Sequence, residues 1–247
     1  MTDNWDFYAT RVDDQPASIF VDLGAESAAP VALLAHMAYV RLYMKHPRPD
    51  GLSSNDEYDA LVGLEDAMEA DLVGDDVVYV GRNTSNGCRD FYFYTSKPAS
   101  WEVKVRQALV DFGGYEYDVG NRDDAEWSTY FNFLLPGEVD RQRIENRRVC
   151  ESLERHGDKL VVAREIDHWI YFESPEALET CLAELEAMGF KMRAKHPNSQ
   201  GKMPYGVQVW RSDIPSYDNI DDVTLPLLRA AASQKGDYDG WECAVET

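Results

Sequence analysis

Residues 166–176 read Ile-Asp-His-Trp-Ile-Tyr-Phe-Glu-Ser-Pro-Glu, an alternating stretch that ends where a helix begins. Alternation with a period of two is typical of a β-strand, because successive side chains point to opposite faces. One face carries Ile166, Ile170 and Phe172, and the other carries Trp169 and Tyr171. Ser174 is a favourable N-cap, and Pro175 fits the first helical position because its missing N–H would have no partner there. The stretch therefore predicts a strand over residues 160–172 that passes directly into a helix.

The rest of residues 158–247 completes one order of elements: strand, helix, strand, strand, helix, strand. The first helix carries the apolar stripe Leu178, Cys181, Leu182, Leu185 and Met188. Later elements are strands at residues 190–196 and 205–211 around a polar loop at 197–202, a helix opening at Asp221 and Asp222, and a strand at 241–245. Pro226 fits that helix if it lies in the first turn. This order predicts an α+β, ferredoxin-like βαββαβ sandwich with both helices on one side of the sheet.

The side of this sheet that the helices leave uncovered is the candidate binding surface. The first and third strands are central neighbours in this topology, so Trp169, Tyr171, Gln208 and Trp210 share that side. RNA-binding sheets stack bases on aromatic residues in such a position. Acidic residues also lie on this side and no basic row compensates them, and stacking without phosphate neutralisation is weak. We therefore expect the N-terminal domain, another subunit or a protein partner there, bound through Trp169, Tyr171, Trp210, Glu165 and Asp167.

Residues 1–136 predict a separate α+β domain with a mixed sheet and two helices. Its strands are predicted at residues 5–8, 18–21, 77–81, 89–94, 115–119 and 127–135, and its helices from residue 55 and at 100–110. Asn86-Gly87 predicts a tight hairpin turn, since both residues tolerate positive φ. Residues 31–44 suit either a buried strand or a helix. Residues 137–157 contain five acidic and five basic residues and predict an exposed helical connector.

The chain is strongly acidic, with 45 acidic and 24 basic residues and a net charge of −21. Such a surface repels phosphate backbones, so we expect no direct nucleic acid binding. It favours either encounter with a basic protein partner or simply solubility. The N-terminus lacks the pattern of a signal peptide, no apolar stretch predicts a membrane span, and the four cysteines are scattered. These features predict a cytoplasmic protein with reduced thiols.

No motif in the chain predicts catalysis, a metal site or a cofactor. His168 follows Asp167, but adjacent strand residues point to opposite faces, which favours a structural histidine over a general base. Asp237, Asp239 and Glu242 are better explained by a turn leading into a strand than by a metal site. The sequence contains no nucleophile elbow, Walker motif or zinc-protease motif.

The C-terminal half resembles the RraB family over residues 160–247. The matching residues are Arg164-Glu165-Ile166-Asp167-His168, Tyr171-Phe172, Gly189-Phe190, Tyr205-Gly206-Val207 and Tyr238-Asp239-Gly240-Trp241-Glu242. RraB proteins inhibit ribonuclease E, the endonuclease at the centre of bacterial RNA turnover, by binding it directly. The resemblance implies regulation by protein contact and brings no catalytic residue.

The N-terminal half resembles a bacterial domain family of unknown function over most of residues 1–136. The matching stretches are Val78-Tyr79-Val80-Gly81-Arg82, residues 87–94, Trp127-Ser128-Thr129-Tyr130 and Leu134-Leu135-Pro136. This resemblance implies a fold without a chemistry, and it favours a strand for residues 31–44.

The leading hypothesis is a two-domain, non-catalytic regulator that binds a basic protein partner such as ribonuclease E. Its parts are a domain of unknown function at residues 1–136, a connector at 137–157 and a regulatory domain at 158–247. Two alternatives stay open. One is a small hydrolase-like enzyme with its site in the cleft between the domains, and the other is a scaffold or homo-oligomerisation module.

Overall fold

The computed structural model describes residues 2, 4–197 and 202–247. The chain divides into two compact units, Met1–Pro136 and Gly137–Thr247, each with its own sheet and hydrophobic core. This mixture of helices and sheets confirms the predicted α+β class. The loop predicted at residues 197–202 lies largely outside the described residues. No described helix is both long and apolar enough to cross a membrane.

The N-terminal unit is a six-stranded sheet with two helices packed on it. Its strands are β1 (Trp5–Val12), β2 (Gln15–Asp22), β3 (His36–Tyr43), β4 (Val77–Ser85), β5 (Cys88–Thr95) and β6 (Tyr117–Asp123), and its helices are α1 (Tyr58–Leu72) and α2 (Trp101–Ala108). The strands lie in the order β1-β2-β4-β5-β3-β6, and every neighbouring pair is antiparallel. Residues 31–44, which suited either strand or helix, contain strand β3, which begins only at His36.

Residues 127–135 were predicted to form a closing strand, and that prediction is wrong. The segment is helical and contains one turn of π-helix, Tyr130–Leu134. Asp124 explains the difference, because its carboxylate accepts hydrogen bonds from the backbone N–H groups of Ser128 at 2.7 Å and Thr129 at 2.9 Å. These bonds satisfy donors that the first turn of a helix leaves without a partner. Tyr130, Phe131 and Phe133 therefore lie on a helical turn rather than on a strand.

The C-terminal unit is a four-stranded antiparallel sheet with helices packed on it. In chain order its elements are α3 (Glu138–Arg155), β7 (Arg164–Phe172), α4 (Pro175–Ala187), β8 (Lys191–Pro197), β9 (Tyr205–Asp213), α5 (Ile220–Ser233) and β10 (Asp237–Cys243). The strands lie in the order β10-β7-β9-β8. Ile166, Ile170 and Phe172 share one core with apolar residues of α4 and α5. The Ser174 hydroxyl accepts the N–H of Ala177 at 3.2 Å, which is the predicted N-cap.

Helix α3 differs from the exposed connector predicted over residues 137–157. It has the predicted helical conformation, but it belongs to the C-terminal unit. Cys150 and Leu153 lie in the hydrophobic core of that unit, and the buried Asn146 donates a hydrogen bond to Thr224 of α5 at 2.7 Å. The charged side chains that indicated a solvated helix are exposed or partly exposed, and one of them, Arg143, pairs with Asp221 of α5. Residues 138–155 are therefore part of the C-terminal unit and do not form a separate connector between the two units.

Two smaller predictions in this unit also need correction. Helix α5 begins at Ile220, so Pro226 lies beyond the first turn, and the carbonyl of Asp222 receives no N–H from it. Strand β10 spans Asp237–Cys243 rather than residues 241–245. A bulge at Gly240, where φ is 116°, shifts the register between Tyr238 and Gly240 and hides the alternation that would have marked the strand.

Candidate functional site

The predicted binding residues lie on the side of the C-terminal sheet that faces away from the core shared with α4 and α5. Trp169 is paired with Gln208, and Asp167 is paired with Trp210, so strands β7 and β9 present these side chains on one side. Glu165 and Tyr171 follow at alternate positions of β7. Glu165 is exposed, and the other members are partly exposed. The structure therefore brings together Trp169, Tyr171, Trp210, Glu165 and Asp167, and we call this set with Gln208 the open face.

A glycine in the neighbouring strand positions the Tyr171 ring. Gly206 is paired with Tyr171, and a Cβ on Gly206 would lie 2.8 Å from ring carbon Cε1 of Tyr171. The ring therefore rests on the backbone of β9, a close approach that only glycine permits. Burial is the main cause that raises the pKa of the Tyr171 hydroxyl, and the charge of Asp239 adds to it. The hydroxyl therefore stays neutral at physiological pH. The Tyr171 side chain presents an aromatic ring with one polar end.

Strand β8 adds basic residues that the sequence analysis missed. Arg193 reaches across β9 and binds both predicted acids, with 2.6 Å from Nη2 to Glu165 and 2.5 Å from Nε to Asp167. The hydrogen bonds to Glu165 and Asp167 raise the pKa of Arg193. The expectation of uncompensated acids on this side was therefore wrong. Alternate basic residues at 191, 193 and 195 were the available signal. Only the strand pairing shows that Lys191 and Arg193 border the open face, whereas Lys195 binds Glu179 of α4 on the other side of the sheet.

Lys191 and Arg193 also flank an aromatic ring of the open face. Lys191 Nζ lies 4.8 Å from the centroid of the Trp210 ring, and the guanidinium carbon of Arg193 lies 5.1 Å from it. Both distances are within the range of cation–π interactions. On this strand His196 Nε2 also lies 3.3 Å from Gln208 Oε1. The open face is thus an aromatic surface with nearly balanced charges, rather than an acidic patch around free rings.

His168 lies on the opposite side of β7 from Asp167 and is fully buried. Its Nδ1 is 2.9 Å from the hydroxyl of Tyr238, and its ring packs edge-on against Phe190 at 5.5 Å between centroids. Burial, with a smaller effect of the nearby Arg211 charge, lowers the pKa of His168 to about 3. The imidazole is neutral and inaccessible, so this residue contributes to the core rather than to a catalytic site.

The cluster at residues 237–242 belongs to strand β10, and two of its side chains, Tyr238 and Trp241, are buried. Trp241 is buried, and its indole N–H donates to Asn146 Oδ1 at 2.9 Å. Within the described residues, no group of three or more histidine, cysteine, aspartate or glutamate side chains could hold a metal ion.

Comparisons with known proteins identify a family in each half of the chain. The model of a family of unknown function, DUF695, matches residues 3–135, and the model "Regulator of ribonuclease activity B" (RraB) matches residues 143–243. No curated protein matches the chain. Among solved structures, an unknown protein from Galdieria sulphuraria has 10% identity and a TM-score of 0.23, over 85% of this chain and 99% of that one. The RraB match includes most of α3.

Proposed function

Because the chain belongs to the DUF695 family and also carries a domain that matches the RraB model, we propose that it is a non-catalytic regulator that binds an RNA-processing endonuclease such as ribonuclease E. The observation that carries this proposal is the open face. It presents Trp169, Tyr171 and Trp210 within one sheet surface. Tryptophan, tyrosine and arginine are the residue types that most often dominate the energy of protein interfaces.

The charges of the open face favour a protein partner over RNA. Arg193 is already bound to two carboxylates, so little positive charge is left to neutralise phosphates. A base that stacked on Trp210 would also compete with Lys191 and Arg193 for the ring. A protein partner can keep these ion pairs and pack around them. The proposal therefore includes no direct binding of nucleic acid by this face.

The net charge predicts what kind of protein surface fits. Residues 137–247 contain 21 acidic and 14 basic residues, a net charge of −7. A basic partner surface would be attracted to such a domain, and the association rate would fall as salt screens the attraction. We place this partner in the cytoplasm, where RNA is degraded. The aromatic rings would supply the contact area, since charge alone gives speed and selectivity more than affinity.

The proposal also assigns the C-terminal sheet to the ferredoxin-like type. The supporting observations are the order β10-β7-β9-β8 and the helices α4 and α5 that connect β7 to β8 and β9 to β10. This arrangement leaves β7 and β9 at the centre, where an uncovered side can display their side chains.

A cleavage assay with ribonuclease E and an RNA substrate tests the function. The full-length protein should slow cleavage, and the effect should weaken when the salt concentration is raised. The double variant Trp169→Ala/Trp210→Ala should lose most of the inhibition. Tyr217→Ala is the matched control, because Tyr217 is an exposed aromatic residue of the same unit outside the open face. No binding and no inhibition at micromolar protein would rule out this partner.

A further inference from the structure

The N-terminal unit contains a cavity of about 540 Å³ that the proposed function does not use. Its floor is the side of the sheet that faces away from α1 and α2, and its wall is the helical segment that follows residue 127. The floor residues are Met37, Tyr39, Arg41, Asp90 and Tyr92. Arg122, Ser128, Thr129, Asn132 and Phe133 form the rim and wall. Cavities of this size commonly hold small molecules.

The lining is positively charged within an acidic unit. Residues 1–136 contain 24 acidic and 10 basic residues, yet the lining contains two arginines, Arg41 and Arg122, and a single acid, Asp90. Asp90 binds Arg41 through both carboxylate oxygens, at 2.8 Å from Nε and 2.7 Å from Nη2. Arg122 donates from Nη2 to the Thr129 hydroxyl at 2.9 Å. A guanidinium group has five N–H donors, so both arginines keep donors for an anion.

These two contacts also hold the arginines in place. The bidentate pair fixes the plane of the Arg41 guanidinium, since Asp90 is almost fully buried beneath it. Thr129 is itself held by the Asp124 cap described above. Two positioned guanidinium groups that flank one cavity are suited to an oxyanion such as phosphate, which arginine can bind in a bidentate manner.

Aromatic rings provide the other half of the lining. Tyr92 and Phe133 pack edge to face with centroids 5.7 Å apart, which joins the floor to the wall. The Tyr39 ring lies over Gly120 of the adjacent strand, because a Cβ there would be 2.6 Å from Tyr39 Cε1. A planar ligand can stack on such surfaces, and the amide of Asn132 can bond to the polar edge of a ring.

We propose that this cavity binds a small anion that carries a planar ring, of the class of nucleoside monophosphates. The two guanidinium groups bind the phosphate, and the rings of the floor and wall receive the base. This site is independent of the open face. Failure of the proposed partner binding would not contradict ligand binding in this cavity, and the reverse also holds.

Isothermal titration of the full-length protein with AMP, GMP, CMP and UMP tests the proposal. Inorganic phosphate, adenosine and 4-hydroxybenzoate are the comparison ligands. At least one nucleotide should bind more tightly than each of the three comparison ligands, because the site requires the ring and the phosphate together. Equal binding of phosphate or adenosine would overturn the proposal, as would tighter binding of the aromatic carboxylate. No nucleotide binding at millimolar concentration would also overturn it.

Two variants locate the site. Arg122→Gln should weaken nucleotide binding about tenfold, the usual effect of losing one charged hydrogen bond. Asn132→Trp should block the cavity from its exposed wall without disturbing the core. Arg106→Gln is the control, because Arg106 is an exposed arginine of the same unit that pairs with Glu102. Unchanged binding in both cavity variants, with folding confirmed by circular dichroism, would contradict this location.

Discussion

Asn146 on helix α3 accepts a hydrogen bond at Oδ1 from the indole Nε1 of Trp241 on strand β10, at 2.9 Å. The amide of Asn146 also donates from Nδ2 to Asp221 Oδ1 and to Thr224 Oγ1, both at 2.7 Å. One buried side chain thus connects α3, α5 and the last strand. Because the buried indole N–H of Trp241 would otherwise be left without this hydrogen bond, α3 is a structural part of the C-terminal domain.

The first prediction concerns this amide. Asn146→Ala should lower the free energy of unfolding by about 1–3 kcal/mol, because the buried indole N–H and the Thr224 hydroxyl lose a partner. Glu145→Ala is the control, since the adjacent Glu145 is exposed on the same helix. Its effect should stay within about 0.5 kcal/mol. Urea unfolding followed by tryptophan fluorescence measures both, and equal losses in the two variants would contradict the role of Asn146.

The second prediction concerns the domain boundary. A fragment of residues 137–247 should fold alone, whereas a fragment of residues 158–247 should be much less stable or aggregate. The shorter fragment lacks Asn146, Cys150 and Leu153, so it exposes the core surface that α3 covers. Near-ultraviolet circular dichroism and size-exclusion chromatography compare the two fragments. A well-folded, monomeric shorter fragment would show that α3 is dispensable.

The third prediction concerns pH. The pKa of a histidine in an unfolded chain is about 6.5, but burial lowers the pKa of His168 to about 3 in the folded protein. Between these pH values the unfolded chain binds a proton that the folded chain does not, so stability should fall as the pH drops from about 6.5 towards 3. His168→Gln should reduce this dependence, while His196→Gln, at an exposed position, should not. Urea unfolding of residues 137–247 at pH 7 and pH 4 measures how much the free energy of unfolding changes with pH. An equal change in the wild type and in His168→Gln would refute the role of His168.

The fourth prediction concerns a buried ion pair in the N-terminal unit. Glu65 accepts from the Tyr79 hydroxyl at 2.8 Å and from Arg82 Nη1 at 2.5 Å, and its second oxygen lies 3.9 Å from the buried Arg89. Glu65→Leu leaves the guanidinium groups of Arg82 and Arg89 without their counter-charge. It should therefore lower the free energy of unfolding by about 3–5 kcal/mol.

Thermal unfolding of the full-length protein measures this loss. Asp66→Asn is the control, because the neighbouring Asp66 is an exposed acid of the same helix. A comparable melting temperature in the two variants would mean that Arg82 and Arg89 find other partners or water.

Local sequence patterns correctly predicted elements that depend on one conformational preference of one or two residues. The Ser174-Pro175 pair predicted the start of α4, and Asn86-Gly87 predicted the turn between β4 and β5, where both residues have positive φ. Local patterns failed where one residue changes the hydrogen bonding of the backbone in a way that the alternation of side chains does not reveal. The Asp124 carboxylate turns an apparent strand into a helix, and the Gly240 bulge displaces β10.

The open face shows the same division. The period of two along β7 was sufficient to place Trp169, Tyr171, Glu165 and Asp167 on one side of a strand, because alternation is a property of the backbone itself. The neighbours of that side depend on which strands pair, and the order of strands results from packing of the whole domain. Only the tertiary structure therefore showed that Arg193 reaches both acids across β9, and that α3 shares the core through Asn146.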